Sequence, residues 1–247
     1  MSPSITIATV CRNAEATLER AVLSVLNQTY PNVEYLIIDG ASTDGTLAIL
    51  ERYRDRIRLV SEPDQGVYDA MNKALKLAQG DWLLFLGADD YLLTDTTLAE
   101  VVPHLEDPDA VYYGDVYYGS EDNRQFGRVS RLTVMCKLIS HQAIFYPRSS
   151  YRSLEYDTRY PVAADRVYNI TLFSRKIRFR YLDQVISFFS MGGLSSQVTD
   201  YVFRHERFRY AWKLGPLPFL IFTGYFLYFH AHHILHLCKV RIMGLKK

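Results

Sequence analysis

The sequence predicts an α/β domain built on an open, mostly parallel, Rossmann-like sheet flanked by helices. Three observations carry this expectation. Strand and helix patterns alternate through about the first 100 residues, the connections between them are short, and the pattern at Trp82 to Leu86 is apolar without alternation. An unbroken apolar run of that length suits a central parallel strand covered on both faces.

The elements follow in order. Residues 5–10 form a β-rich run. Asn13 is placed to cap a helix whose apolar residues Leu18, Ala21, Val22 and Val25 keep helical spacing. Residues 33–39 read as the next strand, 44–54 as a helix and 57–61 as a short strand. Val67, Ala70, Met71, Ala74 and Ala78 line one face of a further helix, closed by Gly80. This β-α-β-α-β-α-β order implies right-handed crossovers, with a ligand crevice beyond the carboxyl ends of the strands. Polar residues fall at those ends: Thr9, Asp39, Glu62 and Asp64, and the pair Asp89-Asp90. The second half is less regular, with strands expected at 110–118, 124–129, 142–146, 177–181 and 185–190 and a helix at 165–174.

The bulk numbers set limits. With 247 residues, 49% hydrophobic and 22% charged, the chain suits one large globular domain and excludes a disordered one. Cys11, Cys136 and Cys238 are too scattered for a disulfide framework or a zinc site, and read as reduced thiols of a cytosolic protein. No basic, apolar leader precedes the first strand, so the body is expected in the cytoplasm. The net charge of +1 divides into about −6 over the first 200 residues and about +7 over the rest. Such a split points to an anionic surface as partner and not to nucleic acid.

The strongest chemical signal is Leu86-Gly87-Ala88-Asp89-Asp90. Adjacent carboxylates at a buried strand end repel each other and lose solvation unless a cation or donors compensate. A hard divalent ion gripping a diphosphate does so, since it takes one or two carboxylates plus phosphate oxygens. The plainer reading is that Asp90 caps the turn that follows. In Asp39-Gly40-Ala41-Ser42-Thr43-Asp44-Gly45-Thr46, Asp39 ends a strand where a base or ribose can be bound, and Ser42, Thr43 and Asp44 are natural helix caps. The chain has neither G-x-G-x-x-G nor a P-loop, so a cation must neutralise the phosphates.

Together these segments resemble glycosyltransferase family 2, inverting enzymes with the GT-A fold. The resemblance rests on residues 5–10 with Asn13, Ser24 to Pro31, Asp39 to Thr46, Glu62-Pro63-Asp64-Gln65-Gly66 with Asn72, and Gly80-Asp81 leading to Asp89-Asp90. Ser140-His141-Gln142 and Ala163-Ala164-Asp165-Arg166 look like acceptor-side motifs of bacterial members that build surface polysaccharides. It implies that Thr9, Asp39, Asp64 and Asp89 bind the donor nucleotide, a UDP-sugar by default. It further implies that Asp90, with Asp89, holds Mn²⁺ or Mg²⁺, that Asp165 is the general base, and that His141 and Gln142 line the acceptor side. Ala164 departs from the pattern, since many members carry an acid before the base. A sugar nucleotidyltransferase is the rival enzyme, but it needs a glycine- and basic-rich loop where this chain has Cys11-Arg12-Asn13-Ala14. A non-catalytic nucleotide-sugar-binding protein is the rival from another class, and the intact Asp89, Asp90 and Asp165 argue against it.

The domain boundary is expected at 198, with 199–247 as a helical, membrane-associating tail. From Leu214 to Cys238 there is no Asp, Glu, Lys or Arg, and basic residues flank the stretch. The clean apolar run, Leu217 to Phe229, is shorter than the roughly 20 residues of a spanning helix. His230, His232, His233 and His236 follow it and suit headgroups better than hydrocarbon; His232 and His236 also have the spacing of metal ligands. One or two helices lying on the inner face of the cell membrane are expected, giving access to a polyprenyl-linked acceptor. A transmembrane span is the first alternative, and a docked soluble helix or an oligomer contact the next.

Overall fold

In a computed structural model, which describes residues 2–125, 127–191 and 200–228, four strands pair in parallel at one side of a nine-stranded sheet. They are β1 (Ile5–Cys11), β2 (Val33–Asp39), β3 (Arg58–Ser61) and β4 (Trp82–Gly87), in the order β3-β2-β1-β4. The register sets Cys11 beside Asp39 and Val10 beside Gly87, so the carboxyl ends lie level. Helices α1 (Leu18–Leu26), α2 (Thr46–Glu51) and α3 (Val67–Leu77) make the crossovers. Alternate residues of each strand feed separate cores: Ile5, Ile7, Leu84 and Leu86 pack with α1, whereas Ala8, Leu83 and Phe85 pack with α3.

The rest of the chain turns the parallel sheet into a mixed one. Two-residue β5 (Tyr91–Leu92) and helix α4 (Thr97–Val101) lead to β6 (Val111–Tyr118), against which β7 (Arg124–Gln125) folds back. Strand β8 (Ile144–Pro147) runs antiparallel to both β4 and β6 and joins the two halves. After α5 (Arg148–Tyr151) and α6 (Ala164–Ser174), β9 (Phe179–Phe189) pairs with β6 in parallel and with β5 antiparallel.

Several elements differ from the sequence reading. The two strands expected at 177–181 and 185–190 are one strand, because the polar break at Asp183-Gln184 is an irregularity in the β6–β9 register. Gly114 permits it, since a Cβ there would collide with the Gln184 carbonyl. The strand expected over 124–129 stops at Gln125, and the Gly127 N–H leaves the ladder to bond Asp115 Oδ1 at 2.7 Å. Asn13 caps no helix. Its Oδ1 accepts from Thr43 N at 2.9 Å, across to the loop after β2, and α1 starts only at Leu18. That loop pair is cross-linked further: Ala14 N donates to Thr46 Oγ1, and Glu15 N to Asp44 Oδ2. Asp44 also accepts from Thr46 N, so α2 begins at Thr46, and it ends at Glu51, shorter than expected.

Beyond the expected boundary at 198, α7 (Tyr201–Lys213) packs into the same core through Phe203, Tyr210 and Ala211. Asp200 caps it by accepting from Phe203 N at 2.8 Å, and the same carboxylate accepts from Ala163 N at 3.1 Å, ahead of α6. Leu214 and Gly215 separate it from α8, residues 216–228, which buries Phe222. Cys11 is buried and Cys136 partly so, both as free thiols, while Cys238 and the four tail histidines lie outside the described residues.

The segment before α6 is pinned by Asn72, whose amide donates to the Tyr156 carbonyl at 2.9 Å and accepts from its N–H at 2.7 Å. Asn72→Ala leaves both buried backbone groups unpaired. It should lower stability by about 2–3 kcal/mol, read from urea melts.

Candidate active site

The level strand ends leave a cleft of about 330 Å³. Its walls come from the ends of β1 and β4, the first turns of α3, His141 and Gln142 before β8, Pro161 and Val162 before α6, and Phe189 at the end of β9.

Asp90 is 1% exposed. Its Oδ2 accepts from Gln142 Nε2 at 2.7 Å and its Oδ1 from Ser190 N at 2.8 Å. Burial, and then the charge of Asp89, push its carboxyl up to about 6. The half-buried Asp89 is held by its main chain: its carbonyl accepts from Arg20 Nη2 at 2.9 Å and from Ser190 Oγ at 2.6 Å. Both carboxylates turn back over Gly87, where a Cβ would collide with Asp90 Oδ2 and stand 2.9 Å from Asp89 Oδ1. Among the described residues no group of three or more His, Cys, Asp or Glu could hold a metal. Two carboxylates converging on one point, one of them desolvated, still fit a divalent cation whose remaining ligands are diphosphate oxygens and water.

One residue before Gln142, an imidazole brings a third carboxylate to the cleft. His141 lines the cleft, and its Nδ1 lies 3.2 Å from Asp165 Oδ2. Asp165 sits behind it, at the start of α6, and its Oδ1 accepts from Tyr68 Oη at 3.1 Å and from Arg166 N at 2.7 Å. Burial opposes its charge, but the bonds and charge of His141, with Arg166 N and Tyr68, outweigh burial and keep the carboxyl below its usual range. Burial, and then the charge of Asp165, push the Tyr68 phenol up, so it stays a donor.

The other expected nucleotide residues lie deeper. Thr9 is fully buried, with Oγ1 3.1 Å from Tyr35 Oη. Asp39 is fully buried too, its carboxylate filled by Ser42 N at 3.1 Å, Ser42 Oγ and Ser61 Oγ at 2.6 Å. Ser42 therefore closes a turn on Asp39 and does not cap α2. Asp64 is partly exposed, packs beside Gly40 and Arg12, and accepts from Gly66 N at 2.9 Å. The structure thus gathers Asp89, Asp90, His141 and Gln142 in the cleft with Asp165 one bond behind, and leaves Thr9 and Asp39 beneath its floor. Sequence reasoning missed Arg12, Arg20, Tyr68 and Ser190. Arg12 and Ser190 follow strand ends and could have been marked by that position alone; Tyr68 and Arg20 gave no local signal.

A parallel sheet extended by a mixed half, with carboxylates at the end of β4, is a GT-A-like fold, the fold of a glycosyltransferase class. The family model described as Glycosyl transferase family 2 matches residues 6–180, and the chain belongs to that family. It is 38% identical over 209 residues to the PGL/p-HBAD biosynthesis glycosyltransferase of Mycobacterium tuberculosis (strain ATCC 25177 / H37Ra), covering 81% of this chain and 82% of that one. It is 32% identical over 120 residues to the UDP-Glc:alpha-D-GlcNAc-diphosphoundecaprenol beta-1,3-glucosyltransferase WfaP of Escherichia coli, covering 48% of this chain and 47% of WfaP. Among solved structures, S. aureus TarS 1-349 in complex with UDP-GlcNAc superimposes with a TM-score of 0.72 at 20% identity, covering 85% of this chain and 66% of that one. The chain spans 60% of the length of TarS 1-349 in its own crystal structure. Mannosyltransferase PcManGT from Pyrobaculum calidifontis, in complex with GDP-Man and Mn²⁺, gives 0.67 at 20% identity, covering 90% and 69%.

The raised carboxyl of Asp90 gives the unliganded protein a pH signature. An acid whose folded pKa exceeds its unfolded value holds a proton that the unfolded chain releases. Its contribution to stability therefore falls as pH rises from about 4 to about 6, and the loss is complete above that window. The stability of wild type relative to Asp90→Asn should drop by on the order of 2 kcal/mol between about pH 4 and about pH 7. Urea melts across this range check it, and a constant difference would mean that Asp90 is not desolvated.

Proposed function

We propose that this glycosyltransferase moves a sugar from a UDP-sugar to a hydroxyl of a lipid-linked saccharide, with inversion, during synthesis of a bacterial cell-surface glycan. The observation that carries this reading is the cleft itself, which brings together a carboxylate pair and a carboxylate-held imidazole. The donor class is supported by TarS, which has the same fold and is known in complex with UDP-GlcNAc, and the acceptor class by the name of WfaP.

Asp89 and Asp90 would hold a divalent cation, Mn²⁺ or Mg²⁺, which neutralises the departing diphosphate. Arg12 adds a fixed positive charge to the cleft lining. The nucleoside lies over the ends of β1 and β2 beside Asp64, with Thr9 and Asp39 shaping the ledge from beneath. The acceptor oxygen bonds to the anomeric carbon as the bond from that carbon to the diphosphate oxygen breaks, and the electron pair leaves with the diphosphate. The acceptor's proton passes to the Asp165–His141 pair. Gln142 keeps Asp90 in place on the acceptor side of the cleft. One displacement inverts the centre without a covalent enzyme intermediate.

Residues 1–198 carry the chemistry in this reading, and 199–247 hold the enzyme on the inner face of the membrane. α8 turns Leu217, Leu220, Ile221 and Leu227 outward, with Leu220 64% and Leu227 61% exposed. Their spacing keeps them on one side of the helix, opposite the buried Phe222. No helix among the described residues is long and apolar enough to cross a membrane. An apolar stripe beside basic residues suits the boundary layer of an anionic leaflet.

Two experiments test the proposal. Nucleotide sugars are first screened for thermal stabilisation with Mn²⁺, and the best donor is then assayed for nucleoside diphosphate release. Asp165→Asn should keep donor affinity and lose turnover by about 10²–10⁴-fold; unchanged turnover would put the proton acceptor elsewhere. For the membrane, truncation is a poor test because α7 belongs to the core. The double variant Leu220→Glu/Leu227→Glu should instead abolish co-sedimentation with phosphatidylglycerol vesicles. Wild-type protein that stays in the supernatant at low salt would refute the membrane role.

A further inference from the structure

Arg166 and Arg207 carry guanidinium groups that make no salt bridge among the described residues, although the charge of Asp165 acts on Arg166. Each has a buried Nε without an acceptor among the described residues. The carboxylate next to Arg166, Asp165, is engaged with His141 and Tyr68. Glu206, the acid on α7, accepts from Tyr160 and faces Arg159 and Arg209. The stretches 192–199 and 229–247 contain no Asp or Glu, so no side-chain carboxylate from them can serve either.

The two arginines lie in one neighbourhood. Arg166 donates through Nη2 to the Met135 carbonyl at 2.5 Å and sits 4.9 Å above the ring of Phe203 on α7. Arg207 follows Phe203 by one helical turn and sits 4.2 Å above the ring of Phe226 on α8. Burial pushes both guanidinium groups below their ordinary values; the charge of Asp165 opposes this at Arg166 while that of Arg207 adds to it, and Arg204 adds to it at Arg207. A crevice of about 20 Å³ beside Arg166 is lined by Lys137 and by Asp165. Buried guanidinium nitrogens without acceptors, close to further cations, are costly unless an anion joins them. The arginine fork matches phosphate oxygens in particular.

We propose that Arg166 and Arg207, with Lys137 at the edge, bind the phosphate groups of the acceptor's lipid carrier. This deepens the transfer reading above and rests on it. Arg166 follows Asp165 in the chain, so a phosphate held there stands next to the pair that takes the acceptor's proton. The exposed leucines of α8 lie on the other side and suit the carrier's hydrocarbon. The occupant is therefore a lipid phosphate that reaches the cleft, and not a bulk phospholipid headgroup.

The test uses the full chain with farnesyl diphosphate and farnesol as probes, measured by calorimetry below their aggregation limits. Wild type should bind the diphosphate at least about tenfold more tightly than the alcohol. Arg207→Gln and Arg166→Gln should erase that preference and leave nucleotide-sugar affinity unchanged. Arg207→Gln decides the matter alone should the more buried Arg166→Gln fail to fold. Equal affinity of wild type for the two probes would overturn the proposal, as would an undiminished preference in Arg207→Gln. It is also overturned if Arg207→Gln loses only its binding to phosphatidylglycerol vesicles and keeps farnesyl diphosphate, which would make the site a headgroup site. A chain that prefers farnesyl diphosphate in this way but releases no nucleoside diphosphate from any donor would support the phosphate site and refute the transfer reading, so the two failures are separable.

Discussion

The buried carboxylate of Asp90 is the constraint on which the rest of the structure depends. It stands at the end of the last parallel strand and must be supplied with donors once water is excluded. The donors arrive from Gln142, in the turn before β8, and Ser190, after β9. Gln142 is itself fixed by Ser187 Oγ, which donates to its carbonyl at 2.8 Å. One charge therefore binds the parallel half of the sheet to the mixed half, at the place where both are open to the cleft. An apolar residue there would remove the desolvation cost, but it would also remove the group that can meet a cation.

The same economy links the outer helices to the cleft. Asp200 caps α7 and also accepts from the N–H groups of Val162 and Ala163, and Val162 forms part of the cleft wall. Tyr160, just before that wall, bonds to Glu206 and Tyr210 of α7. The side of the molecule that carries exposed leucines is thus joined by short polar contacts to the segment that presents Asp165.

Much of this was legible in the sequence, for a physical reason. Strand ends, apolar helix faces and a carboxylate pair are local features, and the first four strands and the placement of Asp89 and Asp90 followed from them. What depended on distant partners was hidden. Asn13 looks like a cap until Thr43 claims its side chain. Asp183-Gln184 looks like the end of a strand until Gly114 makes room for a bulge. Thr9 and Asp39 look like open strand-end groups until Tyr35 is seen against the first and Ser42 and Ser61 against the second. Asp165 was singled out by its motif, but its position behind His141, with Tyr68 on its other oxygen, belongs to packing alone.

The ends of the sheet have a consequence for the protein before it reaches any partner. The outermost strands, β3 and β5, are four and two residues long. At the β3 end, the Arg58 side chain lies across to Glu34 and the Leu77 carbonyl. A long, flat edge would offer a row of free backbone groups to the edge of another copy, and short edges carrying charge do not. At these two ends of the described sheet, an approaching copy meets only a short strand on which to pair.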